Sequence, residues 1–194
     1  MDSRKAQVTI LFAFLLMSFA ATADDYARYI KVFKDSPVVQ EFFNNSYGYA
    51  VFPTIGKGGI GIGAAHGSGQ TYVGGKVTGK TTVTQLSVGF QFGGQAYSQM
   101  IFFEDKRAYD EFTSGNFEFG AQASAIAITA GAQAQAGSTG ATASANTGPK
   151  DAGAQKKAQY HKGIVVFTHV KGGLMYEASL AGQKYSFEPI KKSD

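Results

Sequence analysis

Several residue patterns in this chain are of types that could do chemistry. Gly74 to Thr81 (GGKVTGKT) spells the phosphate-loop pattern G-x-x-x-x-G-K-[ST], in which backbone N–H groups and a following helix N-terminus cradle phosphate while the lysine reaches its outer oxygens. After Thr81, however, Thr and Val recur with a period of two, which predicts a strand, and without the helix no anion site is built. Gly56, Gly58 and Gly61 (GKGGIG) match the dinucleotide pattern G-x-G-x-x-G, but no helix follows and no Asp or Glu occurs before Glu104. The histidines, His66, His161 and His169, lack the spacing of converging metal ligands, so no metal site is expected. The acid pairs Asp24-Asp25, Glu104-Asp105 and Asp110-Glu111 sit at helix ends or on a helix surface, where dipole and solvation roles account for them. Ser68 has no G-x-S-x-G elbow around it. No catalytic residue, cofactor or enzymatic activity is expected.

A basic amphipathic segment remains. From Asp24 to Lys34, Tyr26, Tyr29, Ile30 and Phe33 recur at helical spacing, with Arg28, Lys31 and Lys34 on another face. Such a helix can lie on an anionic membrane, each basic residue near the surface contributing about 1 kcal/mol. It can also pack its aromatics on a sheet and leave its charges solvated, and for the helix taken alone the narrow stripe favours that arrangement. Lys57, Lys76 and Lys80 fall in glycine-rich stretches read as turns.

The elements that would position these residues are mostly strands. Ser36-Pro37 opens a second short helix, Val38 to Asn44. Tyr47 to Val51 is a strand closed by Pro53, and Gly58 to His66 another, with glycine along one face. Gly67-Ser68-Gly69 reads as a turn, Gln70 to Val73 as a strand and Gly74-Gly75 as a break. Leu86, Val88, Phe90 and Phe92 alternate with Gln85, Ser87, Gly89 and Gln91, the mark of a strand with one buried face. Gly93-Gly94 then forms a hairpin turn into the strand Tyr97 to Phe103. Asp105 caps a short helix ending before Gly115, and a strand starts at Phe117. Residues 130–155, poor in large side chains, are a low-complexity segment. The last strands are Gly163 to Val170 and Gly173 to Phe187. The expected fold class is α+β: a mainly antiparallel sheet or partly open barrel of six to eight strands, with N-terminal helices and one short inserted helix. The glycine rows leave two alternatives, an open apolar cavity or a packed core.

The front end bears on compartment. Arg4 and Lys5, the apolar run Val8 to Phe19 and Ala21-Thr22-Ala23 read as a signal peptide, residues 1–23, cleaved after Ala23; residues 24–194 form a single domain. The run is short for a bilayer span of roughly 20 residues. The net charge of +4 becomes +3 once Asp2, Arg4 and Lys5 are removed, and no clustered basic face suggests nucleic acid. Cysteine is absent, which excludes disulfides, thiolate metal sites and lipid attachment at the cleavage point.

The order Phe52-Pro53 to Lys57-Gly58-Gly59, Ser87 to Gln95 (SVGFQFGGQ), Ile101 to Phe103, Ser114 to Ser124 (SGNFEFGAQAS), and Gly173-Leu174 through Ala178-Ser179-Leu180 to Gly182 resembles the SYLF domain family over roughly Pro37 to Phe187. Eukaryotic members bind phosphoinositides, with an N-terminal amphipathic helix implicated, and some bind actin; bacterial members with signal peptides are regarded as lipid-binding. The resemblance implies non-enzymatic binding of anionic phospholipid in the bacterial periplasm or at the cell surface. Actin is a doubtful partner for an exported chain without an SH3 domain. The lipid-binding residues expected are Arg28, Lys31 and Lys34 on headgroups, Tyr29 and Phe33 at the acyl boundary, and Lys57 from a turn. The alternative is a structural or interaction protein of the envelope that pairs through strand edges.

Overall fold

The computed structural model describes residues 22–120, 123, 125–128, 158–173, 180 and 182–190. Residues 1–21 of the expected signal peptide, the 130–155 segment and much of the glycine-leucine motif after Gly173 lie outside them. The elements run α1 (Ala23–Lys34), α2 (Pro37–Asn45), β1 (Gly48–Val73), β2 (Lys76–Phe103), α3 (Lys106–Phe112), β3 (Phe117–Glu118), β4 (Ile126–Ile128), β5 (Ile164–Gly173) and β6 (Gln183–Pro189). The class is α+β, and the described residues form three helices on a curled, open sheet.

Both long strands exceed anything the glycine punctuation suggested. β1 has 26 residues and β2 has 28, and they pair antiparallel from Gly48↔Phe103 to Val73↔Lys76. The hairpin turn is Gly74-Gly75, both residues in the left-handed region (φ 56° and 75°), which glycine adopts without a Cβ penalty. The expected turns at Gly67–Gly69 and Gly93-Gly94 are instead strand interior. Pro53 does not close its strand; it lies at a register shift between Phe52 and Ile55, where a missing N–H is tolerated.

Straight, β1 would measure roughly 85 Å at about 3.3 Å per residue. Instead Gly48 touches the Tyr72 carbonyl, and Gly59 touches Ile62 and Gly63, so the strand doubles back near Ile60–Ile62 and carries β2 with it. The inner faces of the two halves meet closely. A Cβ on Gly67 would stand 2.7 Å from the Ile55 side chain, and one on Gly69 would stand 2.7 Å from both the Phe52 ring and the Val51 carbonyl oxygen. At Gly67 and Gly69, which the sequence reading took for a turn, glycine borders packed backbone and side chains. The smallest residue is needed because another strand lies against it.

Along its other edge β2 pairs β6 over Gly79–Gln85 and β5 over Gln95–Phe103, all antiparallel; β3 adds to β6, and β4 lies parallel to β5. Inside the curl, Phe52, Ile55, Val83, Ile101, Phe103 and Val166 form a core with α3, which supplies Ala108 and Phe112. Outside it, α1 and α2 cover β1, β2 and β5 through Tyr26, Phe33, Val39 and Phe42 against Val51, Met100, Phe102, Val165 and Phe167. Phe102 stands at the centre of that layer, with ring centroids 4.9 Å from Phe43 and 5.8 Å from Phe42.

The alternation rule fails in one telling place. Gln85 points inward and is buried, whereas Leu86, assigned by the sequence to the buried face, is 77% exposed. Gln85 is retained inside by a polar network. Gln183 Nε2 donates to Gln85 Oε1 (3.5 Å) and to the Tyr97 hydroxyl (3.1 Å), the Tyr185 hydroxyl donates to Gln183 Oε1 (2.5 Å), and Gln99 Nε2 donates to Tyr185 (2.7 Å). Partnered amides and phenols can occupy a core that would reject them singly.

Candidate functional site

α1 begins with a capping box. The Asp25 N–H donates to Thr22 Oγ1 (3.3 Å), while the Asp25 carboxylate accepts from the Thr22 backbone N–H (3.1 Å). These Thr22 hydrogen bonds, helped by the nearby Arg28 and Lys171 charges, hold the Asp25 carboxyl below the usual carboxylate range. The helix then presents its cations to solvent, though two have partners. Arg28 bonds Asp25 (2.6 Å) and Lys31 bonds Asp35 (2.8 Å), both as exposed pairs of the kind worth roughly 0–1 kcal/mol. Lys34 has no carboxylate partner among the described residues and stands over the Phe43 ring at 5.2 Å.

Of the six residues expected to bind, the structure brings Arg28, Lys31 and Lys34 to the surface. Tyr29 is half-buried, its ring held between Arg28 (5.0 Å) and Lys171 (3.9 Å). Lys171 Nζ also donates to Thr54 Oγ1 (2.5 Å), so it ties α1 to β5 and β1. Two placements are corrections. Phe33 is fully buried in the layer beneath α1, because it shares the stripe that docks the helix, and so does not face outward. Lys57 is not in a turn; it lies within β1 opposite Gln95 and is only 6% exposed.

Sequence reasoning missed the partner of α1. Lys34, Gln40, Phe43, Asn44, Tyr49 and Gly75 line a cleft of about 450 Å³ where the end of α1, α2 and the β1–β2 turn converge. Its floor is aromatic: Phe43 meets Tyr49 edge-on at 5.3 Å, and Tyr49 stacks on Tyr72 at 4.9 Å. Burial pushes the Tyr49 hydroxyl up to about 12, so these phenols stay neutral. One ammonium and two amides above aromatic rings, with no carboxylate in the lining, suit a group that is anionic at one end and apolar at the other. The charge distribution was readable, had the chain been scanned for missing acids: between Glu41 and Glu104 there is no Asp or Glu, but there are three lysines.

The motifs of catalytic type are dispersed. GGKVTGKT is a turn followed by strand, and GKGGIG lies inside β1. His66 and His161 are exposed, whereas His169 is buried beneath the helices with neither ring nitrogen bonded among the described residues. Among the described residues no three His, Cys, Asp or Glu side chains converge as a metal site, and no helix is long and apolar enough to cross a membrane.

The chain is 26% identical over 159 residues to Beta cell expansion factor A of Aeromonas veronii, an alignment that covers 80% of this chain and 51% of that protein. The chain therefore spans about half the length of that curated relative. The family model Ysc84, described as Las17-binding protein actin regulator, matches residues 84–189, from within β2 to the end of β6. All six expected binding residues precede that stretch, so the family match fixes the scaffold and leaves the helical surface to be argued from its own geometry. The chain belongs to the Ysc84 family, the SYLF family whose order of strand, inserted helix and strand its sequence resembles.

Proposed function

We propose that this protein binds anionic phospholipid at a membrane surface, without catalysis, after export to the bacterial periplasm or cell envelope. The observation that carries the reading is the acid-free cleft, in which Lys34 stands over Phe43, and Tyr49 and Gly75 share the lining. A phosphate would meet the Lys34 ammonium and the amides of Gln40 and Asn44, and the glycerol end would rest on the rings. Arg28 and Lys31 add reach along α1, since their pairs with Asp25 and Asp35 are exposed and readily exchanged for headgroups. The packed glycine contacts favour a lipid met at the surface over one enclosed in the curl. The A. veronii relative is named for beta-cell expansion and the family model for Las17 and actin; neither activity follows from the cleft.

Co-sedimentation of the exported chain with phosphatidylglycerol vesicles tests the reading. Binding is expected at low salt, weakened at high salt. Lys34→Gln should reduce affinity about fivefold, the equivalent of the ~1 kcal/mol expected for one basic residue near the surface. Absence of binding to anionic vesicles at low salt would refute it. Loss of monomer in gel filtration, with no lipid binding, would favour an envelope interaction protein that pairs through strand edges.

A further inference from the structure

Leu86 and Ile62 are the most exposed large apolar side chains among the described residues, at 77% and 66%. They are neighbours. Ala64 pairs with Leu86 across the β1–β2 ladder, and Ile62 is two residues from Ala64, so all three point from the same outer face beside the bend. Continuing along β1, His66, Ser68 and Gln70 occupy that face opposite Thr84, Thr82 and Lys80. The row ends at Tyr72, whose hydroxyl donates to Gln70 and whose ring stacks on Tyr49 in the wall of the cleft. The exposed strip is therefore the tip itself, Ile62, Ala64 and His66 with Leu86, Thr84 and Lys80, and it ends where Tyr72 is buried under the helices.

We infer that this strip is a second membrane contact and that Ile62 and Leu86 insert among the acyl chains of an anionic bilayer. The inference rests on the phospholipid reading above and adds where the bilayer lies. Two observations select a bilayer over a second copy of the chain. Neither strand carries a carboxylate, so no acid of β1 or β2 beside the tip repels anionic headgroups; farther along the face Lys80 lies opposite Glu188, and Lys184 pairs with Glu118. Two aliphatic side chains at a sheet's bent end add apolar area where a soft acyl layer can close around it, while the flanking Thr and Ser side chains suit the headgroup zone.

The chain contains no tryptophan, so Leu86→Trp is a unique optical reporter at an exposed site. With phosphatidylglycerol vesicles its emission should shift to the blue and be quenched by brominated acyl chains. Tryptophan placed by Lys106→Trp on α3 should not respond. Ile62→Asp with Leu86→Asp should lower vesicle affinity at least tenfold with an unchanged far-UV circular dichroism spectrum. If that pair fails to fold, the quenching of Leu86→Trp decides alone. Vesicle binding by the unaltered chain without shift or quenching of Leu86→Trp would overturn the insertion and leave the phospholipid reading standing. No vesicle binding by the unaltered chain would overturn both. A dimer in analytical ultracentrifugation that Leu86→Asp dissociates, with vesicle binding intact, would make the tip a self-association surface and overturn the insertion.

Discussion

Replacing Gly69 with alanine would put a methyl carbon 2.7 Å from the Phe52 ring and 2.7 Å from the Val51 carbonyl oxygen. Neither neighbour can retreat freely. Phe52 is fully buried, with its ring 5.6 Å from Tyr185, and Val51 is held in the ladder opposite Met100. Overfilling a packed core costs about 1–3 kcal/mol, and a clash with both backbone and ring belongs in the upper half of that range. At roughly 2–4 °C per kcal/mol for a chain of this size, Tm should fall by about 4–12 °C. Gly56→Ala is the internal control. It lies in the same strand with nothing within 4 Å of the added methyl, so a change within about 0.5 kcal/mol is expected. Urea unfolding followed by circular dichroism reads both, and the midpoint for Gly69→Ala should drop with little change in slope. Equal stability of the two variants would refute the reasoning. It would show that the folded-back halves of β1 do not press together, and would reopen the possibility of a ligand inside the curl.

Other perturbations address the polar interior and the helices. Tyr185→Phe removes the hydroxyl that links Gln99 to Gln183, and should cost about 1–2 kcal/mol in urea unfolding; an unchanged midpoint would mean the network contributes nothing net. His169 has its pKa lowered by burial and by Lys171, so the unfolded chain takes up this proton first as pH falls. Its contribution to stability is complete above about pH 6.5 and is lost below it, toward the lower folded pKa. The midpoint difference between pH 7.5 and 5.5 should therefore shrink in His169→Gln; an identical difference would exclude this group as a source. Asp105→Ala removes the side chain that accepts from the Ala108 N–H at 2.8 Å, and should destabilise by about 1 kcal/mol in thermal unfolding. No loss would mean that packing of Phe112 alone holds α3.

Local signals were legible wherever a side chain acts on its own backbone. The period of Tyr26, Tyr29, Ile30 and Phe33 marked α1, Pro37 marked the first residue of α2, and Asp105 marked the start of α3. Glycine misled because it has two uses. At Gly74-Gly75 it supplies positive φ for a turn, whereas at Gly67 and Gly69 it makes room for a facing strand, and the letters do not distinguish the two. Alternation misled at Gln85 and Leu86 for a related reason. A period of two identifies two faces without saying which is inside, and partners more than 90 residues away, Gln183 and Tyr185, keep the polar face in.

The sequence by itself determined the α+β class, the helix starts, the family order and the cationic, acid-free character of residues 42–103. These follow from composition and from contacts only a few residues long. Only the tertiary structure decided that β1 doubles back, that Phe33 and Lys57 turn inward, that Lys34 stands over Phe43 in a cleft shared with Tyr49 and Gly75, and that Leu86 is left outside. Each depends on which distant segment takes the space beside a residue, and burial of the shared apolar surface, rather than local propensity, settles that choice.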